Sequence, residues 1–264
     1  MKHPYKLKDK TFVLTGGTSA IGRSVALKLS EYGANVSLLD TNAQRAERLV
    51  EEITSQREIS QERGRAMFLP CDISKPHHVT DAVQRSVETF GGIDGYIEGM
   101  MTHRRFSWLE DSALSELERS LDINLKAPIL ITQEVLKFAK GRRNARLIYL
   151  ISDVARWGMP GDAIGSATRN GLVYLSRSLA REVLGNQITV NCVAIPASEE
   201  YLLERDPAAT SIREAQENLL KHIPHAKIAN SEEVSEVVAY LSSPLSSAIT
   251  GQVISASGGL NMLG

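Results

Sequence analysis

Seven short runs rich in β-branched and aliphatic residues alternate along this chain with segments of helical periodicity. The runs are "TFVLT" (11–15), "NVSLLD" (35–40), "RAMFLP" (65–70), "DGYIEG" (94–99), "ARLIYLIS" (145–152), "ITVNCVAI" (188–195) and "GQVISAS" (251–257). Between them apolar residues recur every three or four positions, as at Leu172, Leu175, Leu179 and Val183. Strand–helix alternation repeated this often predicts a parallel sheet, because parallel strands need long crossovers. Right-handed crossovers then give an α/β doubly wound sheet of the Rossmann type, with helices on both faces. No repeat and no low-complexity linker divides the chain, so one domain is expected over residues 1–264. The stretch from about 196 to 230 interrupts the alternation just after the sixth run. It is expected to form a lid above the strand ends, where ligands bind in such sheets.

The first strand–helix junction, "TFVLTGGTSAIGRSVALKLSEYG", carries the strongest local chemistry. Thr15 ends the strand, Gly16 and Gly17 permit a tight turn, and Gly22 lies at the start of the following helix. Unpaired N–H groups and the positive dipole end of that helix would receive a pyrophosphate. Asp40 ends the next strand, where a carboxylate can accept hydrogen bonds from an adenosine ribose. It would repel a ribose phosphate, and no base stands beside it at 17, 18 or 41, so NAD(H) is favoured over NADP(H). The plainer alternative for the same glycines is a tight turn that holds no ligand.

Bulk properties narrow the function classes. With 42% hydrophobic and 23% charged residues, the 264-residue chain can bury a large core. Its net charge of −1, with acids and bases interspersed, suggests neither nucleic acid nor a membrane surface as partner. No apolar run reaches membrane-spanning length, and the basic N-terminus precedes too short an apolar stretch for a signal peptide. Cys71 and Cys192 lie in apolar surroundings and are expected to be buried thiols, which fits a reducing, cytoplasmic setting. His77 and His78 are adjacent on a helix and do not face one ligand, so no metal site is expected there.

Over essentially its whole length the chain resembles the short-chain dehydrogenase/reductase family. "TGGTSAIG" is similar to that family's glycine-rich loop, with Ala20 where a middle glycine usually stands. "CDIS" resembles its third-strand ending, "LDINLKAP" the helix bearing a catalytic asparagine, "ISDVARWGMPG" the catalytic-serine segment and "ITGQVISASGGLNM" its C-terminal strand. The resemblance implies strand order 3-2-1-4-5-6-7 and a homotetramer or homodimer. It implies cofactor contacts at Thr15, Gly16, Gly17, Ser19, Ile21, Gly22, Asp40, Asp72, Ile73 and Arg169, with Asp72 facing the adenine. Ser152 and Asn124 take the places of the catalytic serine and asparagine.

That family's chemistry rests on a tyrosine followed four residues later by a lysine. Aligned through "WGMPGDAIG", these positions are Gly165 and Arg169. Glycine has no proton to give; arginine can bind ribose hydroxyls but is no proton relay. Tyr149 points to the strand face opposite Ser152, and Tyr174 to the helix face opposite Gly165. This leaves His103 and Tyr201 as stand-in acids, against plainer roles in a solvated loop and in lid packing. Glu98 and Glu200 would bring two new carboxylates near a dinucleotide, which "HRR" (103–105) would pair. Met100, Met101 and Trp157 would give the cleft an apolar floor. The expected function is therefore a ligand-binding, scaffold or partner subunit that has lost dehydrogenase chemistry, working beside an active paralogue. Two alternatives stand: an NAD(H) oxidoreductase with a rearranged acid, and a non-redox lyase or isomerase with Glu98 as base and Arg169 as anion clamp.

Overall fold

The computed structural model describes residues 4–100, 107–142, 144–153, 156, 158, 161–195 and 229–259. Seven strands lie side by side in the order β3-β2-β1-β4-β5-β6-β7. They are β1 (Thr11–Thr15), β2 (Asn35–Asp40), β3 (Ala66–Pro70), β4 (Gly95–Glu98), β5 (Arg146–Ser152), β6 (Thr189–Ile195) and β7 (Val253–Ser255). Every pairing is parallel. The expected doubly wound sheet and its strand order are what the chain forms. The last strand is shorter than its apolar run, which spans 251–257 in sequence but only Val253–Ser255 as a strand.

Strand parity sorts the core into two layers. Leu147, Tyr149 and Ile151 of β5 pack on one face, with Cys192 of β6. Ile148 and Leu150 pack on the other, with Val193. The first layer is covered by α3 (Pro76–Phe90), α5 (Ala127–Ala139) and α6 (Ala163–Glu182). The second is covered by α1 (Ala20–Glu31), α2 (Ala43–Ile59) and α7 (Ser231–Ser242). A short helix, α4 (Leu114–Leu121), runs through a π-helical turn, Asp122–Lys126, into α5. Tyr149 donates or accepts a hydrogen bond with Thr132 Oγ1 at 2.8 Å inside the first layer, while Tyr174 is 67% exposed. Neither tyrosine faces the sheet edge where Ser152 ends its strand. Cys71 and Cys192 are both buried, and burial pushes their thiols up to about 12 and about 11.

Helices α1 and α7 are joined by polar groups at their outer rim. Glu236 accepts from Lys28 Nζ at 2.9 Å, from the Tyr32 hydroxyl at 3.0 Å and from the Tyr5 hydroxyl at 3.4 Å. The Tyr5 and Tyr32 rings meet edge to face, 4.8 Å between centroids. Burial, then the Glu236 hydrogen bond, pushes the Tyr32 phenol up to about 12. Residues 196–228 of the expected lid lie outside the described residues. Removing the shared acceptor by Glu236→Ala should cost about 1 kcal/mol of stability, read from the urea midpoint at unchanged m-value.

Candidate active site

At the carboxyl edge of the sheet the β1–α1 loop passes against the end of β4. Gly16 has φ 66°, and a Cβ there would stand 2.5 Å from the Gly99 carbonyl oxygen and 2.8 Å from the Met100 nitrogen. A Cβ on Gly22 would strike the Gly16 carbonyl and lie 2.9 Å from the Gly17 Cα. Only glycine fits at either place, because backbone meets backbone. Ser19 caps α1: its hydroxyl accepts from the Gly22 N–H at 3.1 Å and donates to the Gly16 carbonyl at 2.8 Å. No acidic residue occupies the first turn of α1. A cleft of about 250 Å³ opens in front, bordered by Gly16, Ser19, Ile21, Asp40, Leu150 and Ile195.

Asp40 is buried and already employed. Its Oδ2 accepts from the Thr18 hydroxyl at 2.8 Å and its Oδ1 from the Asn42 N–H at 2.9 Å. Arg45 borders the same cleft. The sequence shows no base beside Asp40 because Arg45 is five residues away, on the first turn of α2, capped there by Asn42. Asp72 is used locally: Ser74 donates to its Oδ1 through its hydroxyl at 2.7 Å and its N–H at 3.0 Å. That hydroxyl bond, against opposing desolvation, holds the Asp72 carboxyl below its ordinary range. Ile73 is packed in the first core layer, and neither residue borders the cleft.

Behind the loop lies a buried polar cluster that the sequence showed only in part. Glu98 is fully buried and accepts from Thr15 Oγ1 at 2.6 Å and from the Tyr96 hydroxyl at 2.7 Å. Burial pushes its carboxyl up, against the pull of those two hydrogen bonds and the Arg169 charge. Arg169, 5% exposed, donates to Asn124 Oδ1 at 3.1 Å and to the Met100 carbonyl at 3.4 Å. Asn124 sits in the π-helical turn and donates to Ser120 Oγ at 3.1 Å. Such turns displace a side chain out of helical register, here toward α6. Glu98 thus faces the interior and not a pyrophosphate, which corrects the expectation of a carboxylate repelling the cofactor. It is also closed to a ligand as a base, so the lyase or isomerase arrangement loses the group it depends on. No sequence signal marks the Met100 carbonyl as an arginine acceptor; that contact is wholly tertiary. Ser152 ends β5, half-buried, opposite Ile195 of β6. His103, Tyr201, Glu200, Met101, Arg104, Arg105 and Trp157 lie outside the described residues. Among the described residues no cluster of metal-ligating side chains occurs, and no helix is long and apolar enough to cross a membrane.

Residues 16–261 match the family model described as enoyl-(acyl carrier protein) reductase. The chain belongs to the short-chain dehydrogenase/reductase family. It is 31% identical over 255 residues to the 3-oxoacyl-[acyl-carrier-protein] reductase FabG of Aquifex aeolicus, covering 97% of this chain and 98% of that one. It is 29% identical to nodulation protein G of a Rhizobium species, over 98% of this chain and all of that protein. A dehydrogenase/reductase from Sinorhizobium meliloti superposes with a TM-score of 0.87 at 27% identity, over 97% of this chain and 96% of that one. These relatives overturn the expectation of a scaffold or partner subunit without dehydrogenase chemistry. Several relatives similar over nearly the full length are named as reductases, which leaves an idle fold beside an active paralogue without support.

The β1–α1 turn fits a dinucleotide, since its glycines let the loop lie on the end of β4 while the start of α1, at Ser19, Ala20 and Ile21, borders the cleft. Gly16→Ala should therefore weaken NADH binding at least about 10-fold, measured by fluorescence titration. Glu98 supplies a pH test. Its folded carboxyl titrates above its unfolded value, so its contribution is present at low pH and lost as pH rises from about 4.5 through the raised folded value. Glu98→Gln should flatten the fall in unfolding free energy as pH rises above about 4.5, relative to the unsubstituted protein.

Proposed function

We propose that this chain is a nicotinamide-dependent carbonyl reductase acting on 3-oxoacyl thioesters. The observation that carries the reading is the glycine cradle at Gly16 and Gly22, opening on the cleft between the ends of β1, β2 and β4. The substrate class is taken from the 31%-identical FabG relative. A bound reduced nicotinamide dinucleotide would supply hydride. The chain's own groups do the rest. Thr15, Gly16, Gly17, Ser19, Ile21 and Gly22 shape the pyrophosphate seat. The Ser152 hydroxyl, at the end of β5, donates a hydrogen bond to the substrate carbonyl oxygen as negative charge gathers there. Arg169 brings a fixed positive charge and donors for ribose hydroxyls, and Asn124 orients its guanidinium through the 3.1 Å bond.

NAD(H) is the favoured cofactor in this reading, because Asp40 sets a carboxylate at the ribose end of the cleft. Arg45 borders the same place and softens the preference. The protein would work as a homodimer or homotetramer in the cytoplasm. The neighbouring helices α4 and α6 expose Leu114 and Tyr174 (70% and 67%), apolar surface that a second copy would cover.

Titration with both cofactors tests the reading. NADH should bind saturably and more tightly than NADPH, and Asp40→Asn should narrow the difference by about 10-fold. Tighter NADPH binding would overturn the preference, and absence of binding to either would overturn the reductase reading. Ser152→Ala should lower kcat for a 3-oxoacyl thioester by about 100-fold or more and leave NADH affinity within about 3-fold.

A further inference from the structure

Asp153 follows Ser152 directly, at the point where β5 ends, and its side chain is fully buried. Its N–H donates to the Ile195 carbonyl at 2.7 Å, which carries the β5–β6 ladder one residue past the strand. Its Oδ2 accepts from the hydroxyl of Ser255, the last residue of β7, at 2.7 Å. Its Oδ1 accepts from Arg156 Nη1 at 3.3 Å, and the Arg156 N–H closes a turn onto the Asp153 carbonyl at 3.2 Å. Ser255 gives its one proton to the carboxylate, so buried Ser257 is the donor in the 2.7 Å bond between the two serines. One carboxylate thus joins the ends of β5 and β7, on either side of β6, to the first turn of the loop that follows. A buried carboxylate is costly without such partners, so together they fix where it sits.

Neighbouring residues of an extended strand send their side chains to opposite faces. Asp153 turns to the face of Tyr149 and Ile151, where Ser255 of β7 meets it. Ser152 then falls on the face of Leu150. Leu150 borders the cleft, and so does Ile195, the register partner of Ser152. We propose that Asp153 is a positioning residue for Ser152: by clamping the end of β5 to β7 and to Arg156, it fixes the backbone from which the Ser152 hydroxyl reaches a substrate carbonyl. The inference rests on the reductase reading above, in which Ser152 donates to that oxygen. A hydroxyl on the last residue of a strand has structured chain on one side only, and the clamp supplies the hold on the other. Since Asp153 is closed to solvent, it acts through Ser152 and touches no substrate itself. Holding a donor in the geometry that the transition state needs is worth more in rate than in substrate affinity.

A double-mutant cycle separates positioning from support of the fold. Asp153→Asn sets an amide N–H against Ser255 or Arg156. It should lower kcat for a 3-oxoacyl thioester about 10-fold or more and leave NADH affinity within about 3-fold. In a Ser152→Ala background the same substitution should change kcat less than about 2-fold, although the urea midpoint falls equally in both backgrounds. Ser255→Ala removes one of the bonds at an exposed residue and should repeat this pattern, which keeps the test open if Asp153→Asn does not fold. Ser255→Thr retains the hydroxyl and should keep kcat within about 3-fold of the wild type. Crystals of the cofactor-free protein give a readout apart from turnover: Ser152 Oγ should occupy one rotamer in the wild type and more than one in Ser255→Ala. If the wild type reduces the thioester and these variants lower kcat equally with and without the Ser152 hydroxyl, or leave it unchanged, Asp153 only supports the fold and the reductase reading stands. If Ser152→Ala keeps the wild-type rate, there is no hydroxyl to position and the proposal falls by itself. If the wild type binds no NADH and reduces no thioester, both readings fall.

Discussion

The close approach of backbone to backbone at Gly16 and Gly99 governs how the rest of the site is arranged. Because no Cβ separates them, the β1–α1 loop can lie directly on the end of β4. Thr15 then reaches Glu98, and the Met100 carbonyl is left to receive Arg169 from α6. Met100 therefore stands between the β1–α1 loop on one side and the arginine–asparagine pair on the other. A side chain at residue 16 would force the loop off the strand end and loosen both. The buried Glu98 acts as a strut in this assembly. Its partners are a threonine from the neighbouring strand and a tyrosine from its own.

Much of this architecture is legible in the residues. Strand–helix alternation and parity are local patterns, and they specified the sheet and the division of its two faces, while its order followed from the family resemblance. The glycines at 16 and 22 were legible for a related reason, since each answers a backbone constraint that only glycine meets. What could not be read is the direction in which polar side chains turn. Glu98 sits next to the loop in sequence alignment, and only the packing shows that it faces Tyr96. Asp40 looks like an unoccupied ribose acceptor until Thr18 and Asn42 are found on it. Arg45 is invisible as its neighbour in a residue-by-residue reading, because a helical turn brings it back.

The relatives alter how Gly165 is understood. Taken alone, a glycine where the family places its phenol implies a lost reaction. Set among relatives named as reductases and similar over nearly the whole chain, that implication is left without support. Hydride transfer asks the protein for a cofactor seat, a donor at the carbonyl oxygen and a source of one proton. In the proposed reading the β1–α1 loop and Ser152 answer the first two demands without a tyrosine. The third can be met by any acid held at hydrogen-bond reach or one water away.

The central claim is that this cleft passes hydride to a carbonyl carbon. Incubation of the protein with NADH stereospecifically deuterated at nicotinamide carbon 4, one preparation for each face, and a 3-oxoacyl thioester tests it most directly. Mass spectrometry of the product reads the outcome. The account predicts one deuterium on carbon 3 of a 3-hydroxyacyl thioester from one of the two preparations. Bound cofactor with no deuterium in the product from either would contradict it.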